Sequence, residues 1–567
     1  MMFRDEFEAE IDHLYQLCAE LGRAQPDLAP ILGRNADPSV SRLVEGLAFS
    51  FGRLRQRLDD DLPEIAHPVV ENLCAELLRP LPSRTVMALV PSASKLLSRT
   101  TLKAGTSFGT RPVDGVACTF ESTSDVDITP WSITKLEVAG SRLRIELEAF
   151  PGVDLATVLP PSLVVFLAHP VAAALEARDL LVRRTRDVVA RTPGSDASVS
   201  LGPPRAWRPA REGTDAQIAR AFLDLRDYFT FPQGYAYVEV PDLARVRALG
   251  DRLARLDLTF ELDVPVPRGI VLDRKTVLLH AVPARNVFRV PDLRIPLRGD
   301  RQRCDVRPAV PGAQVYAVRD VALVNQGLQK LRVEPWARFF GLRSGENTEV
   351  RYEVRRVPSV IGNAVDVSLA FSGGPPSFRR EEQVAAEVSL LATHGERAAS
   401  IGIGEVNVRT SASPSLVSFE NVTPVTRTAA PPLDGDYLWQ IYRLFKTTMA
   451  SLTDDLGAVL ALANIPARER WPGAKPDATS FAPLLQVVRT RDRSTVRDEL
   501  HAGAKVTLVI DAGRFDGPGD VYLFGELVSA LLATTLHPRH WVELTVTDRA
   551  GAQLAAYPRA GGTRLGL

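Results

Sequence analysis

The stretch Asp37-Pro38-Ser39-Val40-Ser41-Arg42-Leu43-Val44-Glu45-Gly46-Leu47-Ala48-Phe49 opens an apolar repeat that organises the first part of the chain. Aspartate before proline marks a helix start: the carboxylate accepts from free N–H groups, and proline fits the first helical position. From there Val40, Val44, Leu47, Phe51, Leu54 and Leu58 recur in steps of 4, 3, 4, 3 and 4. That spacing is the seam of a helical bundle or coiled coil. Upstream, Phe3, Phe7, Ile11, Leu14, Leu17 and Leu21 share one side of a first helix. Downstream, Ile65, Val69, Leu73 and Leu77 make a third stripe, which Pro80-Leu81-Pro82 ends. Three amphipathic helices are expected, burying their stripes against each other or a partner. The six residues Val40 to Leu58 are the candidate protein-interface set.

From about residue 84 the apolar period falls to two. Leu143, Ile145 and Leu147 alternate with charged residues, as do Leu256, Leu258, Phe260, Leu262 and Val264; Val350-Tyr352-Val354 and Val365-Val367-Leu369-Phe371 repeat the pattern. Such alternation predicts strands with one buried face. Helices are predicted at 171–190, 214–229 and 242–254, and loops at 192–214 and 372–382. A long helical stripe follows from Leu438 to Val459, then a strand at Val506–Ile510, a helix near Tyr522 and a strand at Val542–Val546. The predicted class is a multidomain α+β protein: an N-terminal helical bundle region (1–82), a β-rich domain (83–170), a mixed α/β region (171–430) and a C-terminal α/β unit (431–567).

A chain of 567 residues exceeds what one hydrophobic core organises. Its 68 Lys plus Arg balance 68 Asp plus Glu. Nucleic-acid binding, which draws on phosphate neutralisation, is therefore not expected. Cys18, Cys74, Cys118 and Cys304 are widely spaced, which argues against a disulfide framework or a zinc site and suits a reducing compartment. The charged N-terminus does not read as a signal peptide, and no apolar run is long enough to span a membrane.

Candidate chemistry is sparse. Gly105-Thr106-Ser107-Phe108-Gly109 fits G-x-S-x-G, but a nucleophile elbow needs a helix directly after the serine. Thr110-Arg111-Pro112-Val113-Asp114-Gly115 cannot start one, so a turn between strands is the reading there. His537 and His540 are three apart with Pro538 between them, a solvated loop pair rather than a helix-borne metal pair. Asp59-Asp60-Asp61 lacks calcium-loop spacing and reads as a charged surface turn ending the second helix. Gly402-Ile403-Gly404 lacks a dinucleotide context. Arg178, Arg183, Arg184 and Arg186 read as a solvated basic helix face. No catalytic, cofactor-binding or metal-binding residue is assigned, no cofactor is expected, and the chain is expected not to be an enzyme.

Several ordered segments resemble the TssF family of bacterial type VI secretion baseplate subunits. They are Asp37–Phe49 with Leu58-Asp59-Asp60-Asp61-Leu62-Pro63-Glu64; Leu78-Arg79-Pro80-Leu81-Pro82-Ser83; Pro112-Val113-Asp114-Gly115-Val116; Asp227-Tyr228-Phe229-Thr230-Phe231-Pro232; Ala281–Phe288; and Phe515–Gly525. The resemblance implies a wedge subunit that pairs with TssG, two TssF chains to one TssG, contacts TssK and TssE, and surrounds the VgrG spike. It further implies a cytoplasmic location, with the baseplate docked at the inner face of the inner membrane through the membrane complex. A role similar to that of contractile phage-tail wedge proteins follows. A baseplate protein of another contractile injection system, or a serine hydrolase using Ser107, are the alternatives.

Overall fold

The computed structural model describes residues 38–209, 217–250, 252–298, 303–325, 329–335, 350–359, 364–373, 383–433, 435–468, 486–496 and 499–563, with scattered positions of 11–27. The main helices are α1 (Pro38–Cys74), α2 (Val171–Arg183), α3 (Gln217–Thr230), α4 (Gly435–Lys446), α5 (Met449–Asp454), α6 (Leu456–Arg468) and α7 (Pro518–Thr534). The chain divides into two compact units, Met1–Ala75 with Pro432–Arg443, and Glu76–Pro431 with Leu444–Leu567.

In the first unit, the expected second and third helices are one helix of 37 residues, about 55 Å long at 1.5 Å per residue. Asp59-Asp60-Asp61 lies inside it rather than at an end, and Pro63 and Pro68 do not divide it. Leu58, Leu62, Ile65 and Val69 carry the apolar phase across Pro63 in steps of 4, 3 and 4. Beyond the prolines Ala66, Val70 and Cys74 are buried, and that burial outweighs the local loss of backbone hydrogen bonds at two prolines. Of the expected first helix, Ile11, Leu14, Leu17 and Leu21 are helical, and Phe3 and Phe7 lie outside the described residues.

The second unit is built on sheets that join distant parts of the chain. In one, Arg84–Pro91 pairs with Ala281–Arg285 and Val417–Asn421, and Val116–Ser122 links Ala281–Arg285 to Ser107–Val113. In a second, Arg255–Leu262 is central, flanked by Arg142–Ala149 and Thr185–Arg191. A third places Leu163–Leu167 between Tyr237–Val240 and Val277–Leu279. All three sheets combine strands from both sides of residue 170. A seven-stranded sheet runs from Phe288–Arg298 to Arg303–Val306. In the C-terminal sheet, Glu499–Ile510 and Trp541–Asp548 run parallel, joined across α7, as parallel neighbours require a crossover.

Period-two alternation has the expected consequence. Leu143, Ile145 and Leu147 lie on one face with Leu256, Leu258 and Phe260, all buried with Phe166 and Tyr237 in one extensive core. The opposite face carries ion pairs, Arg144–Asp257 at 2.5 Å and Arg255–Glu148 at 2.9 Å. A second core gathers Met87, Phe108, Phe120, Val282 and Phe419.

Other expectations shift. The helix predicted to reach 190 ends at Arg183, and Thr185–Arg191 is a strand, because β-branched Thr185, Val188 and Val189 favour extended backbone. Residues 242–254 supply only a 3-10 turn, Leu243–Leu249, closed at Gly250. The stripe 438–459 is split into α4, α5 and α6, since Thr448 and Ser451 form a reciprocal capping box that starts a new helix. The 192–214 loop contains two short strands, Ser198–Ser200 and Arg205–Ala206. Ser107 begins a strand, not a strand-to-helix elbow. Asp114-Gly115 makes the two-residue hairpin turn behind it, with φ of +48° and +79°, as a primed turn demands.

Close helix packing explains two glycines of the last motif. A Cβ at Gly519 would sit 2.5 Å from the Leu175 carbonyl oxygen, and one at Gly525 would sit 2.4 Å from the Tyr557 hydroxyl. Alanine at either position is expected to destabilise the protein by about 1–3 kcal/mol through overpacking. At Gly46, mid-helix in open space, the same change is expected to stabilise it by about 0.5–1 kcal/mol. Urea melts of the three variants measure both effects.

Candidate partner-binding surfaces

Helix α1 presents its apolar residues on two adjoining stripes. Val44 and Ala48 are buried, as are Ala66, Val70 and Cys74 near its other end. Leu43 and Leu47, each one residue earlier and so about 100° round the helix, are 66% and 42% exposed. Val69 and Leu73 repeat the pattern beside Val70 and Cys74. Of the candidate interface residues, Val40 is half-buried, Val44 is buried and Leu47 is exposed. The side chains of Phe51, Leu54 and Leu58 lie outside the described residues. The buried line therefore runs from Val44 to Ala48, and Leu47 lies off it. In the same unit Trp439 is 47% exposed and stacks on Tyr442 at 5.2 Å. The stripe reading of 438–459 passed over Trp439 because it lies off the seam.

The motif segments of the second unit meet one another. The Tyr228 hydroxyl donates to Asp520 Oδ1 at 2.7 Å, and the Asp516 N–H donates to Oδ2 of the same carboxylate. Tyr228 and Phe515 both pack on Phe524. Burial raises the Asp520 pKa, and its two donors hold that rise back. Asp227 pairs with Arg84 at 2.6 Å. Asn286 is a fully buried hub: its amide nitrogen donates to the Thr119 carbonyl and lies 3.0 Å from His394 Nδ1, while its oxygen accepts from Thr393 Oγ1 and the His394 N–H.

Of the basic face expected on α2, Arg184 and Arg186, past the helix end, are exposed, but Arg178 and Arg183 are not. Arg178 is 1% exposed and meets Glu526 at 2.9 Å. Arg208 reaches the other oxygen of Glu526 at 2.6 Å and stands over the Tyr235 ring. Burial alone would raise the Glu526 pKa; the two guanidinium groups reverse that and hold it below its usual range. Arg183 pairs with Asp179 and lies 4.1 Å from the Tyr522 ring centre. Nothing in the periodicity of α2 points to Glu526, because the partner is 348 residues away.

A cleft of about 680 Å³ is walled by Leu81, Val171, Phe229, Ile403 and Val425. His169 lines it, but the threonine hydroxyls with assigned bonds there, on Thr230, Thr423 and Thr426, bond to backbone groups or to Thr85 instead. His537 and His540 sit in a turn, with ring centres 6.0 Å apart and the His540 N–H bonded to the His537 carbonyl. Among the described residues, no group of three or more His, Cys, Asp or Glu could hold a metal ion, and no helix is long and apolar enough to cross a membrane.

The fold is that of a multidomain α+β protein, with interleaved sheets and a long helix whose apolar surface is only partly buried. The chain belongs to the TssF family: the family described as type VI secretion system, TssF, matches residues 2–564. It is 25% identical over 401 residues to the type VI secretion system component TssF1 of Pseudomonas aeruginosa, a match spanning 63% of this chain and 63% of that protein's length. Its fold is similar to a chain of the TssK-TssF-TssG baseplate subcomplex determined by cryo-electron microscopy. There the TM-score is 0.72 at 23% identity, covering 92% of this chain and 99% of that one. A chain of the type VI secretion baseplate complex matches with a TM-score of 0.61 at 21% identity, over 100% of both.

Two buried histidines make stability depend on pH. His280, bonded to Thr129 at 2.6 Å, has its pKa pushed down to about 4 by burial. His394 is pushed down to about 4 by burial, and then by Arg397. Above pH 6.5 each is neutral in both states and contributes nothing to the slope. Between about 6.5 and 4 the unfolded chain takes up protons that the native state refuses, so stability falls with pH. For His280 the full fall is about 3 kcal/mol. Asparagine tolerates the +53° φ at this position. In denaturant melts across this window, His280→Asn is expected to flatten the slope by that amount.

Proposed function

We propose that this chain is a structural subunit of a type VI secretion baseplate, which assembles with TssG and TssK and catalyses no reaction. The observation that carries the reading is the exposed stripe Leu43 and Leu47 beside the buried Val44 and Ala48, in a chain of the TssF family. A helix with two adjoining apolar faces buries one within its own chain and leaves the other for a partner. A helix about 55 Å long offers room for the interface of 2,000 Å² or more that obligate assemblies bury. One of the similar structures is a TssK-TssF-TssG baseplate subcomplex, which supports the choice of partners.

In the finer reading, two such chains join one TssG in a wedge, contact TssE, and surround the VgrG spike in the cytoplasm, with the baseplate held at the inner membrane by other proteins. The work is mechanical: packed interfaces between wedges rearrange when the sheath contracts.

Co-expression with TssG tests the interface. Leu43→Glu with Leu47→Glu is expected to abolish co-purification while the circular dichroism and urea melt stay those of the parent chain; a folded double variant that still carries TssG overturns the reading. For the absence of catalysis, a fluorophosphonate probe is expected to leave the chain unlabelled. Labelling that disappears in Ser107→Ala would establish a serine nucleophile instead.

A further inference from the structure

Two arginines of the second unit stand over one tyrosine, and two more lie on the strands beside it. Arg79 Cζ lies 5.5 Å and Arg285 Cζ 5.3 Å from the centre of the Tyr316 ring, and Arg285 Nη1 donates to the Tyr316 hydroxyl at 3.3 Å. Strand register brings the rest. Arg285 stands opposite Glu121. Arg289 begins the neighbouring strand, and Arg319 follows Tyr316 by three residues. Both of their strands pair with Gln383–Thr393, where Arg289 and Ala317 share Leu391 as their opposite. Arg289 and Arg319 are exposed, and Arg79 and Arg285 are half-buried behind them.

The cluster is short of negative charge. Among the described residues, none of the four arginines has a carboxylate within ion-pair distance, and the Nε atoms of Arg79 and Arg285 are buried without a hydrogen-bond partner. The neighbouring Arg84 differs, being neutralised by Asp227 at 2.6 Å. Buried Glu121 feels Arg285, Arg289 and Arg319. Its pKa is raised by burial and drawn back by those arginines. Gathering like charges and leaving guanidinium donors unpaired is unfavourable in isolation. Stacking on Tyr316 fixes the guanidinium planes before any ligand arrives, which suits them to fork-shaped recognition.

We propose that Arg79, Arg285, Arg289 and Arg319 around Tyr316 form a docking site for an acidic segment of a partner protein, whose Asp or Glu carboxylates pair with the guanidinium forks. Carboxylate and phosphate both match a guanidinium fork. The observations favour a peptide. The chain has no net charge to attract a long polyanion, and the recessed pair is reached by side chains better than by a nucleic-acid backbone. The inference rests on the assembly reading only for the source of the acidic segment.

The test is a titration of the full chain with a fluorescein-labelled hexaglutamate peptide, read by anisotropy at low salt, with an oligonucleotide of equal charge as competitor. The parent chain is expected to bind saturably, and more weakly as salt rises. Arg289→Glu with Arg319→Glu, both at exposed positions, is expected to weaken binding roughly tenfold or more. Arg285→Lys keeps the charge and loses the fork, and is expected to weaken binding severalfold. Arg255→Glu, an exposed change in the distant ion-pair ladder, should leave it unchanged. Equal binding by the double variant, no binding by the parent chain, or tighter binding of the oligonucleotide through the same arginines overturns the proposal. A parent chain that carries TssG but does not bind the peptide sinks this inference alone; a parent chain that binds the peptide but does not carry TssG sinks only the TssG interface.

Discussion

Glu526 on α7 accepts from Arg178 on α2 through one oxygen and from Arg208 through the other, and the packing of the second unit depends on that carboxylate. Taking a carboxylate and two guanidinium groups out of water is unfavourable by several kcal/mol per ion unless each is paired. Arg178 is buried with half-buried Glu526 and Arg208 beside it, an arrangement that none of the three could take alone. Around them the fit is tight: Gly519 lets α7 approach the backbone of α2, Tyr228 of α3 bonds to Asp520, and Tyr522 stacks on Tyr557. A C-terminal strand–helix–strand unit is thereby welded to helices 292 and 348 residues earlier.

Local order was legible in the sequence, and long-range order was not. Alternation at 143–147 and 256–262 identified strands because those sheets bury one face. It could not say that the two strands are neighbours, since pairing depends on register and on the residues between. The 4-3-4 repeat located α1 and placed Val44 on a buried line. Its exposed flank at Leu43 and Leu47 could not be read, because leucine looks the same in a sequence whether or not anything covers it. Asp59-Asp60-Asp61 read as the turn that ends a second helix, yet the helix runs on through it to Cys74. The basic residues of α2 looked solvated for want of their acidic partner on α7. At Thr448 the capping pair is present in the sequence, within an apolar stripe that runs on across it in helical phase.

The motif segments turn out to be places where chain elements meet under geometric constraint rather than places that do chemistry. Asp114-Gly115 supplies positive φ for a two-residue turn. Asn286 satisfies four polar groups in a site with no water contact. Gly519 and Gly525 admit backbone and ring where a methyl group would not fit. Such residues tolerate little substitution for reasons of packing alone, and this suits a protein whose proposed work is to hold its neighbours at fixed positions.

The sheet that unites Arg84–Pro91 with Val417–Asn421 has a consequence for biosynthesis. The Val86 N–H donates to Thr423 Oγ1, a bond between residues 337 apart. At ordinary rates of translation the first of these strands waits roughly 20–70 s for the last. Through that interval Met87, Leu89 and their neighbours have no finished core, and an open strand edge faces a crowded cell. Formation of the native sheet is therefore a late event, completed when most of the chain has left the ribosome, and yield should respond more to translation rate and chaperone supply than to the equilibrium stability of the finished protein.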